Sequence, residues 1–430
     1  MGQWPRADRD SIMTTKPELL FLSHRLPIPP HNGAAIRTFN TIRVLSEAYD
    51  VTALCFDRTD KILARLSLDA RVDALRPYAR VQVFPIPQQH SRLRLISDHV
   101  RSVVTGQAYT LYSYQSAEYL AAVKRAMAEH RFALVHVDTL DLAGFLPLLD
   151  GAPVACTHHN VESQLLARRS LNEPLFRRKY LQWQAVKLEE LERHWLPRVA
   201  VNIAVSADDA STLKTLAPGA RLEVAPNGVD VDYFTPSCGA EQEGLVFVGG
   251  TNWFPNRDAL EWFHADILPE LRALGEQGPV TWVGRCTDDD RKRFGGPAGV
   301  TLTGYVPDIR PYVNRAACFI APLRVGGGTR LKILDAWASG KAVVSTARGC
   351  EGLETVDGKN ILIAEDPRSF AHAIRRVIED PGLRESLGRA ARETVERRYS
   401  WGSIGRDLCR VYDDVCARWN QRGTKASGAA

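Results

Sequence analysis

The stretch from residue 324 to residue 340, RVGGGTRLKILDAWASG, constrains the fold of this chain more than any other segment. Three glycines follow a short apolar run, Cys318 to Leu323, which predicts a buried strand. After the glycines, Thr329 is placed to cap a helix that Gly340 ends. The apolar side of that helix would hold Ile333, Leu334, Trp337 and Ala338.

The glycine turn, made of Gly326, Gly327 and Gly328, also predicts an anion site. A turn that leads into a helix start leaves backbone N–H groups pointing outward. Arg330 and Lys332 fall in the first helical turn, where a cation costs about 0.3–1 kcal/mol unless an anion is bound. We favour a phosphate site, and the alternative is a tight turn with two solvated cations.

Composition sets broad limits on the class of protein. The 430 residues suggest two or three domains, and a net charge of +5 does not by itself argue for nucleic acid. The eight cysteines form no C-x-x-C pair, which indicates free thiols in a reducing cytoplasm and no metal cluster. The polar first residues are not typical of a signal peptide, and no apolar run approaches the ~18 residues of a membrane helix. We therefore expect a cytoplasmic protein that is soluble or, at most, lies at the inner face of the membrane.

The order of elements predicts an α/β fold. Strand, glycine-bearing loop, helix and strand follow one another from residue 19 to residue 56, and similar units recur along the chain. A polar break, DYFTPSCGAEQE, interrupts the series and predicts an interdomain linker. We expect two doubly wound, Rossmann-like domains facing a cleft, with ligands at the carboxyl ends of the strands. The predicted segments are a disordered 1–17, a first domain 18–231, a linker 232–243, a second domain 244–399, a helix 400–420 that returns to the first domain, and a disordered 421–430.

Several motifs in this order resemble the GT-B glycosyltransferases of retaining family 4, also called glycosyl transferases group 1. They span residues 19 to 398, and they are LSHRLPIPPHNGAAIR, THHNVES, VAPNGVDVDYF, FVGG, LTGYVPDIRPY and GGGTRLKILDAWASGKAVVSTARGCEGL. The resemblance is strongest to the bacterial branch that builds exopolysaccharides and lipid-linked glycans. It implies an acceptor-binding first domain, a second domain that binds a nucleotide-diphosphate sugar, and no metal or other cofactor.

Two departures from the family pattern concern the donor site. The family places two acids eight positions apart; here Asp335 fills the second position, which the resemblance assigns to the ribose, and Gly327 stands at the first. The family's Arg and Lys after FVGG are also missing, because Asn252, Trp253 and Asn256 occupy that region. Arg330 and Lys332 are the natural substitutes for holding the diphosphate, with Arg257 and Arg285 as weaker candidates. Trp253 fits hinge-side packing as well as it fits a substrate contact.

The resemblance assigns further roles. His159, with His158 as the second choice, would contact the donor sugar and the reaction centre, although a histidine after a strand is often structural. Tyr305 and Val306 would frame the base. Donor-binding positions are expected at Gly326, Gly327, Gly328, Thr329, Glu351 and Gly250.

Asn32 and Gly33 lie at the end of a proline-rich loop and are expected on the acceptor side of the cleft, although a plain helix start explains them equally well. Asp230, Val231 and Asp232 imitate a D-x-D metal motif, which the resemblance places in the hinge instead.

Basic residues alternate with apolar ones in two stretches of the first half. Such stretches suit an anionic membrane surface or a polyprenyl-diphosphate acceptor, and ordinary solvated helix faces are the alternative. The basic residues are Arg92, Arg94, Arg101, Arg168, Arg169, Arg177, Arg178 and Lys179.

The sequence thus predicts a retaining, metal-independent glycosyltransferase that moves a sugar from a nucleotide-diphosphate sugar to a glycan or lipid-linked acceptor in polysaccharide biosynthesis. In the resembling family the leaving phosphate can itself take the acceptor proton, so no protein base is required. Two alternatives stay open: a nucleotide-sugar 2-epimerase with the same architecture, and a non-catalytic sugar-nucleotide-binding scaffold subunit, which the glycine at position 327 favours.

Overall fold

The computed structural model describes residues 16–30, 32–58, 66–171, 173–236, 243–296, 299–326 and 330–427. Its contacts divide the chain into two compact units, Met1–Thr157 with Tyr412–Ala430 and His158–Val411. The disorder predicted for residues 1–15 and 428–430 concerns positions outside the described residues.

The first unit is built around a parallel sheet. Its strands are hydrogen-bonded in the order β3-β2-β1-β4-β5. The central strand, β1, reads ELLFLS, and Leu19 to Leu22 are fully buried, as is typical of a strand covered by helices on both faces. The elements are β1 (Glu18–Ser23), α1 (Gly33–Ala48), β2 (Asp50–Asp57), α2 (Leu68–Leu75), β3 (Arg80–Pro85), α3 (Arg92–Thr105), α4 (Thr110–Ser113), α5 (Ala117–Glu129), β4 (Leu134–Val137) and β5 (Val154–His158).

The second unit holds a parallel pair, β6–β7, and a six-stranded parallel sheet ordered β10-β9-β8-β11-β12-β13. Within the first part of this unit the elements are α6 (Glu162–Ser170), α7 (Leu175–Trp195), β6 (Val201–Ala204), α8 (Ala207–Leu216) and β7 (Leu222–Val224). The six-stranded sheet and its helices comprise β8 (Leu245–Val248), α9 (Phe254–Trp262), α10 (Leu268–Ala273), β9 (Val280–Val283), α11 (Asp288–Phe294), β10 (Thr301–Gly304), α12 (Arg310–Arg315), β11 (Cys318–Ala321), α13 (Leu331–Ala338), β12 (Val343–Ser345), β13 (Leu362–Ile363), α14 (Pro367–Glu379) and α15 (Pro381–Arg398).

These two parallel sheets with their helices confirm the predicted α/β class. The strand predicted from Cys318 to Leu323 ends earlier, at Ala321. The helix that begins at Phe254 contains a π-helical turn, Phe263–Ile267. The aspartates 288–290 begin α11, where Thr287 with Asp290 forms a capping box. The predicted division into domains stays a prediction.

The last helix, α16 (Trp401–Ser427), returns to the first unit from Tyr412 onward. There the Tyr412 hydroxyl lies 2.6 Å from Nδ1 of His136 in β4, and the Tyr49 hydroxyl donates to Asp413. The predicted end of the helix at residue 420 is wrong, because the helix continues through Ser427. Its apolar periodicity fades after Trp419, so the hydrophobic pattern alone placed the end too early.

None of the helices in the described part of the chain is long and apolar enough to cross a membrane.

Candidate functional site

The carboxyl ends of three strands in the six-stranded sheet, β8, β9 and β10, meet at a set of closely packed glycines. Gly249 and Gly250 follow β8, and Gly284 follows β9, so close that a Cβ on Gly284 would lie 2.6 Å from the Gly250 nitrogen. The Gly284 N–H donates to the carbonyl of Gly304, the last residue of β10, at 3.2 Å. These loops present backbone at the sheet edge where ligands of such folds bind.

Two of the predicted donor-binding glycines can be placed. At Gly250 a Cβ would lie 3.0 Å from the carbonyl oxygen of Arg285, so the turn after β8 leaves little room for a side chain. Gly326 follows β11 with a φ of 120°, in the region that favours glycine. The predictions for Gly327, Gly328 and Thr329, including the helix cap, fall outside the described residues.

The helix expected after the glycine turn is present as α13. Its predicted apolar side, Ile333, Leu334, Trp337 and Ala338, is buried. Arg330 stands at the N-cap position, without a side-chain hydrogen bond to the helix start. Gly340, with a φ of 67°, follows the last turn as expected.

Arg330 is buried and braces the loop that follows β12. Its guanidinium donates to the carbonyls of Arg348 (2.8 Å) and Gly326 (3.2 Å), and it lies 3.6 Å from the Glu351 carboxylate. Burial lowers the Arg330 pKa, while the charge of Glu351 raises it. The side chain therefore ties the glycine turn to the loop at 348, a role the sequence did not suggest. Whether it also contacts a diphosphate stays a prediction.

Lys332 lies in the first turn of α13 and points back toward β8. Its Nζ donates to Oδ1 of Asn256 at 2.7 Å and sits 4.0 Å from the centre of the Phe247 ring. Burial, and to a smaller extent the charge of Arg330, lowers the Lys332 pKa to about 7. No carboxylate is among these contacts, so the ammonium is held by an amide and an aromatic face, and an anion would stabilise it.

Asp335 lies three residues beyond Lys332 and so projects from the same side of the helix. Burial raises the pKa of its carboxyl to about 7. A carboxyl in this state can donate as well as accept a hydrogen bond near neutral pH. This chemistry suits the hydroxyl contact expected for Asp335, and the ribose role itself stays a prediction.

An open cleft of about 480 Å³ lies at the ends of β11 and β12. Its charged lining includes Glu351, which is 40% exposed and pairs with Arg348 at 2.6 Å. Arg324 also lines the cleft and pairs with Asp258 at 2.6 Å. The other lining residues are Leu323, Thr346, Ala347 and Glu365. Glu351 therefore lies at the predicted edge of the sheet.

The weaker diphosphate candidates have other partners. Arg257 pairs with the buried Asp290 at 3.1 Å, and Thr251 donates to the same carboxylate. Arg285 lies over the ring of Tyr305, 5.5 Å from its centre. Arg257 is thus paired with a carboxylate, whereas an amide and an aromatic ring hold Lys332.

The residues expected near the base differ in exposure. Tyr305 is 67% exposed, as a base-framing loop requires, whereas Val306 packs against the core of the sheet. Trp253 is 64% exposed, and the choice between hinge-side packing and a substrate contact stays a prediction.

The two histidines at the end of β5, His158 within the strand and His159 just after it, have different environments. His158 is buried, and its Nε2 lies 2.9 Å from Oδ1 of Asn202 in β6. Burial lowers the His158 pKa to about 4, so the ring is neutral at physiological pH. His159 is only partly buried. This difference supports the preference for His159 over His158, and the catalytic role of either stays a prediction.

In the first unit, Asn32 serves as the N-cap of α1. Its Oδ1 accepts from the Ala35 N–H at 3.1 Å and from Nη1 of Arg25 at 2.9 Å, and Gly33 is the first helical residue. The helix-start explanation for both residues is thus confirmed, and the acceptor contact stays a prediction. Asp230 likewise accepts from the N–H groups of Asp232 and Tyr233, as in an ordinary Asx turn.

The sequence reasoning missed a buried polar cluster at the ends of β1 and β4. Nδ1 of His24 lies 3.4 Å from Oδ2 of Asp138, to which Thr38 donates at 2.7 Å and Ser23 at 3.3 Å. The signal was available, since His24 directly follows one apolar run and Asp138 directly follows another, which puts polar side chains at a carboxyl edge.

The basic stretches lie on α3, α6 and α7. Arg92, Arg101, Arg168, Arg169, Arg177 and Lys179 are exposed, and Arg94 and Arg178 are partly buried. The neighbouring apolar side chains include several of the most exposed in the described chain, with Phe176 at 90% and Leu93 at 81%.

Comparisons with known proteins agree with this architecture. The model of the family "Glycosyltransferase Family 4" matches residues 31–233, and that of "Glycosyl transferases group 1" matches residues 242–380. A D-inositol 3-phosphate glycosyltransferase of Salinispora arenicola is 26% identical over 76% of this chain and 80% of its own length. A phosphatidyl-myo-inositol mannosyltransferase of Mycobacterium leprae is 27% identical over 52% of this chain and 61% of its own length.

Solved structures share the fold at low identity. Sucrose-phosphate synthase from Thermosynechococcus elongatus has a TM-score of 0.63 at 18% identity, covering 93% of this chain and all of the other. Anabaena HepE, in complex with UDP and glucose, has a TM-score of 0.62 at 14% identity with the same coverage. The chain is therefore a glycosyltransferase, with a first part that matches the Glycosyltransferase Family 4 model and a second part that matches the glycosyl transferases group 1 model.

Proposed function

We propose that the protein is a retaining, metal-independent glycosyltransferase that transfers a sugar from a nucleotide-diphosphate sugar to a glycan or lipid-linked acceptor in polysaccharide biosynthesis. The observation that carries the proposal is Lys332, a largely buried cation beside the glycine-lined strand ends. The related structure of HepE, solved with UDP and glucose, supports a nucleotide-sugar donor.

In the proposed reaction the bond from the sugar's anomeric carbon to the diphosphate oxygen breaks, and the acceptor hydroxyl forms the new bond on the same face. Negative charge grows on the leaving diphosphate. Lys332, together with the N–H groups at the start of α13, would stabilise that charge in a site with little water. The leaving phosphate oxygen takes the acceptor's proton, so the balance needs no protein base.

The two cations are expected to differ when they are replaced. Lys332→Ala should reduce turnover at least tenfold and leave the melting temperature within a few degrees, because it mainly removes charge. Arg330→Ala should reduce turnover as much and also lower the melting temperature, because it frees the carbonyls of Gly326 and Arg348. Near-normal turnover in both variants would contradict the diphosphate assignment.

The release of nucleoside diphosphate tests the reaction class. A transferase releases it from the donor at a rate that depends on the acceptor, whereas a 2-epimerase releases hardly any and a scaffold releases none. The acceptor panel should include inositol phosphate, phosphatidylinositol and polyprenyl-diphosphate sugars, because the first two correspond to the names of the relatives. Release that ignores every acceptor would contradict the proposal.

A further inference from the structure

Helix α3 has its apolar side turned away from the protein. Its two buried residues are polar, Asp98 and Ser102. Five apolar side chains, which we call the outward stripe, are between 56% and 81% exposed, and they follow the i, i+3, i+7, i+10 and i+11 spacing of one helix face. The stripe consists of Leu93, Ile96, Val100, Val103 and Val104.

Polar contacts within the first unit fix this orientation. Arg94 donates to the carbonyl of Gln115 at 3.3 Å, and Ser102 donates to the carbonyl of Gln107 at 2.6 Å. The rings of His99 and Tyr109 stack at 4.0 Å with an angle of 4° between their planes. Rotating the helix about its axis to bury the stripe would expose Asp98 and Ser102 to water and would break these contacts.

Positive charge borders the outward stripe. Arg92 and Arg101 are exposed on its two sides, and the single acidic residue of the helix, Asp98, is buried. Two arginines in the first turn also oppose the helix dipole, a cost that nearby anions would remove. An apolar face bordered by arginines is the pattern of helices that lie in the interface of an anionic membrane.

We propose that the outward stripe of α3 binds the surface of an anionic lipid bilayer. The stripe spans about 16 Å along the helix, enough to place several apolar side chains at the headgroup boundary while Arg92 and Arg101 meet lipid phosphates. A second copy of this chain is the less suitable occupant, because it would bring the same arginines of both copies together. This inference rests on the proposed function in one respect, because binding to the bilayer would bring the enzyme to a lipid-linked acceptor.

The test is co-sedimentation with vesicles without any substrate. The full chain is mixed with vesicles of phosphatidylcholine alone or of phosphatidylcholine and phosphatidylglycerol at 3:1, in low and high salt. Binding to the anionic vesicles should be clear and should fall with salt. The triple variant Leu93→Gln/Ile96→Gln/Val104→Gln should bind at least tenfold more weakly, and Arg92→Gln/Arg101→Gln should lose most of the preference for anionic lipid.

A matched control replaces three other exposed apolar residues, as Leu68→Gln/Leu120→Gln/Val356→Gln, and should bind like the unaltered chain. Circular dichroism and melting temperature check that every variant is folded. The proposal would be overturned if the unaltered chain does not bind vesicles, or if the stripe variant binds them as well as the unaltered chain does. It would also be overturned if the unaltered chain forms a dimer that only the stripe variant abolishes. Nucleotide-sugar binding is measured separately, so vesicle binding without donor binding would count against the proposed function alone.

Discussion

Lys332 is a side chain in which burial and charge oppose each other. Its amine has a pKa of about 7, and the neighbouring Asp335 carboxyl also has a pKa of about 7, both because of burial. Each group is thus about half charged at neutral pH, where small changes in its surroundings alter its charge. A diphosphate bound near Lys332 would raise its pKa and recover the charge.

The shifted pKa values of Lys332 and Asp335 predict that their contribution to stability has a minimum near neutral pH. Between pH 3.8 and 7 the folded protein keeps a proton on Asp335 that the unfolded chain releases, so this contribution falls as pH rises. Between pH 7 and 10.5 the unfolded chain keeps a proton on Lys332 that the folded protein has lost, so stability rises again. Relative to Lys332→Met/Asp335→Asn, the free energy of unfolding of the unaltered chain should be lowest near pH 7.

Urea denaturation of both proteins at pH 5, 7 and 9, without nucleotide, measures this difference. If the difference in unfolding free energy between the two proteins is the same at all three pH values, burial does not shift the pKa of Lys332 or of Asp335.

Gly284 shows how closely the loops of the site approach one another. Gly284→Ala should cost about 3 kcal/mol of unfolding free energy, because its φ of 145° is strained for alanine and the Cβ would collide with Gly250. Gly275 is the matched control, with a φ of 89° and open space around it, so Gly275→Ala should cost only about 1 kcal/mol. Chemical denaturation measures the unfolding free energy that each of the two variants loses. Equal losses would mean that the loops around Gly284 can separate easily.

At the scale of elements, the sequence predicted most strands and helices because their apolar periodicity and their glycines carry the information. The buried side of α13 is the clearest case. Arg330 was different: only the fold brings the carbonyl of Arg348 to its guanidinium. The outward stripe of α3 could not be predicted either, since periodicity reveals an apolar face but not whether that face points inward.

The last helix makes an element-scale prediction. Tyr412→Phe removes the hydroxyl that lies 2.6 Å from His136, with both side chains fully buried. The free energy of unfolding should fall by about 1–3 kcal/mol, because a buried hydrogen-bonding group loses a partner. Tyr78→Phe is the control, on a partly buried ring edge-on to Phe39, and should change little. An equally small effect of Tyr412→Phe in urea denaturation would mean that this contact does not hold the helix.

At the scale of the whole molecule, the order of motifs from residue 19 to residue 398 was enough to predict the fold class and the kind of enzyme. It could not predict which cation is available, because that depends on partners distant in sequence: Arg257 is paired with Asp290, and Arg330 braces a loop. Lys332 is held instead by an amide and an aromatic ring. The central claim is therefore that the six-stranded sheet binds a nucleotide diphosphate at Lys332.

Titration calorimetry with UDP-glucose, GDP-mannose, ADP-glucose and dTDP-glucose tests this claim most directly. At least one donor should bind the unaltered chain, and Lys332→Met should weaken that binding at least tenfold, which corresponds to about 1.4 kcal/mol. The control Lys292→Met, on the exposed side of α11, should bind like the unaltered chain. Equal affinity for the donor in Lys332→Met and in the unaltered chain would contradict the account.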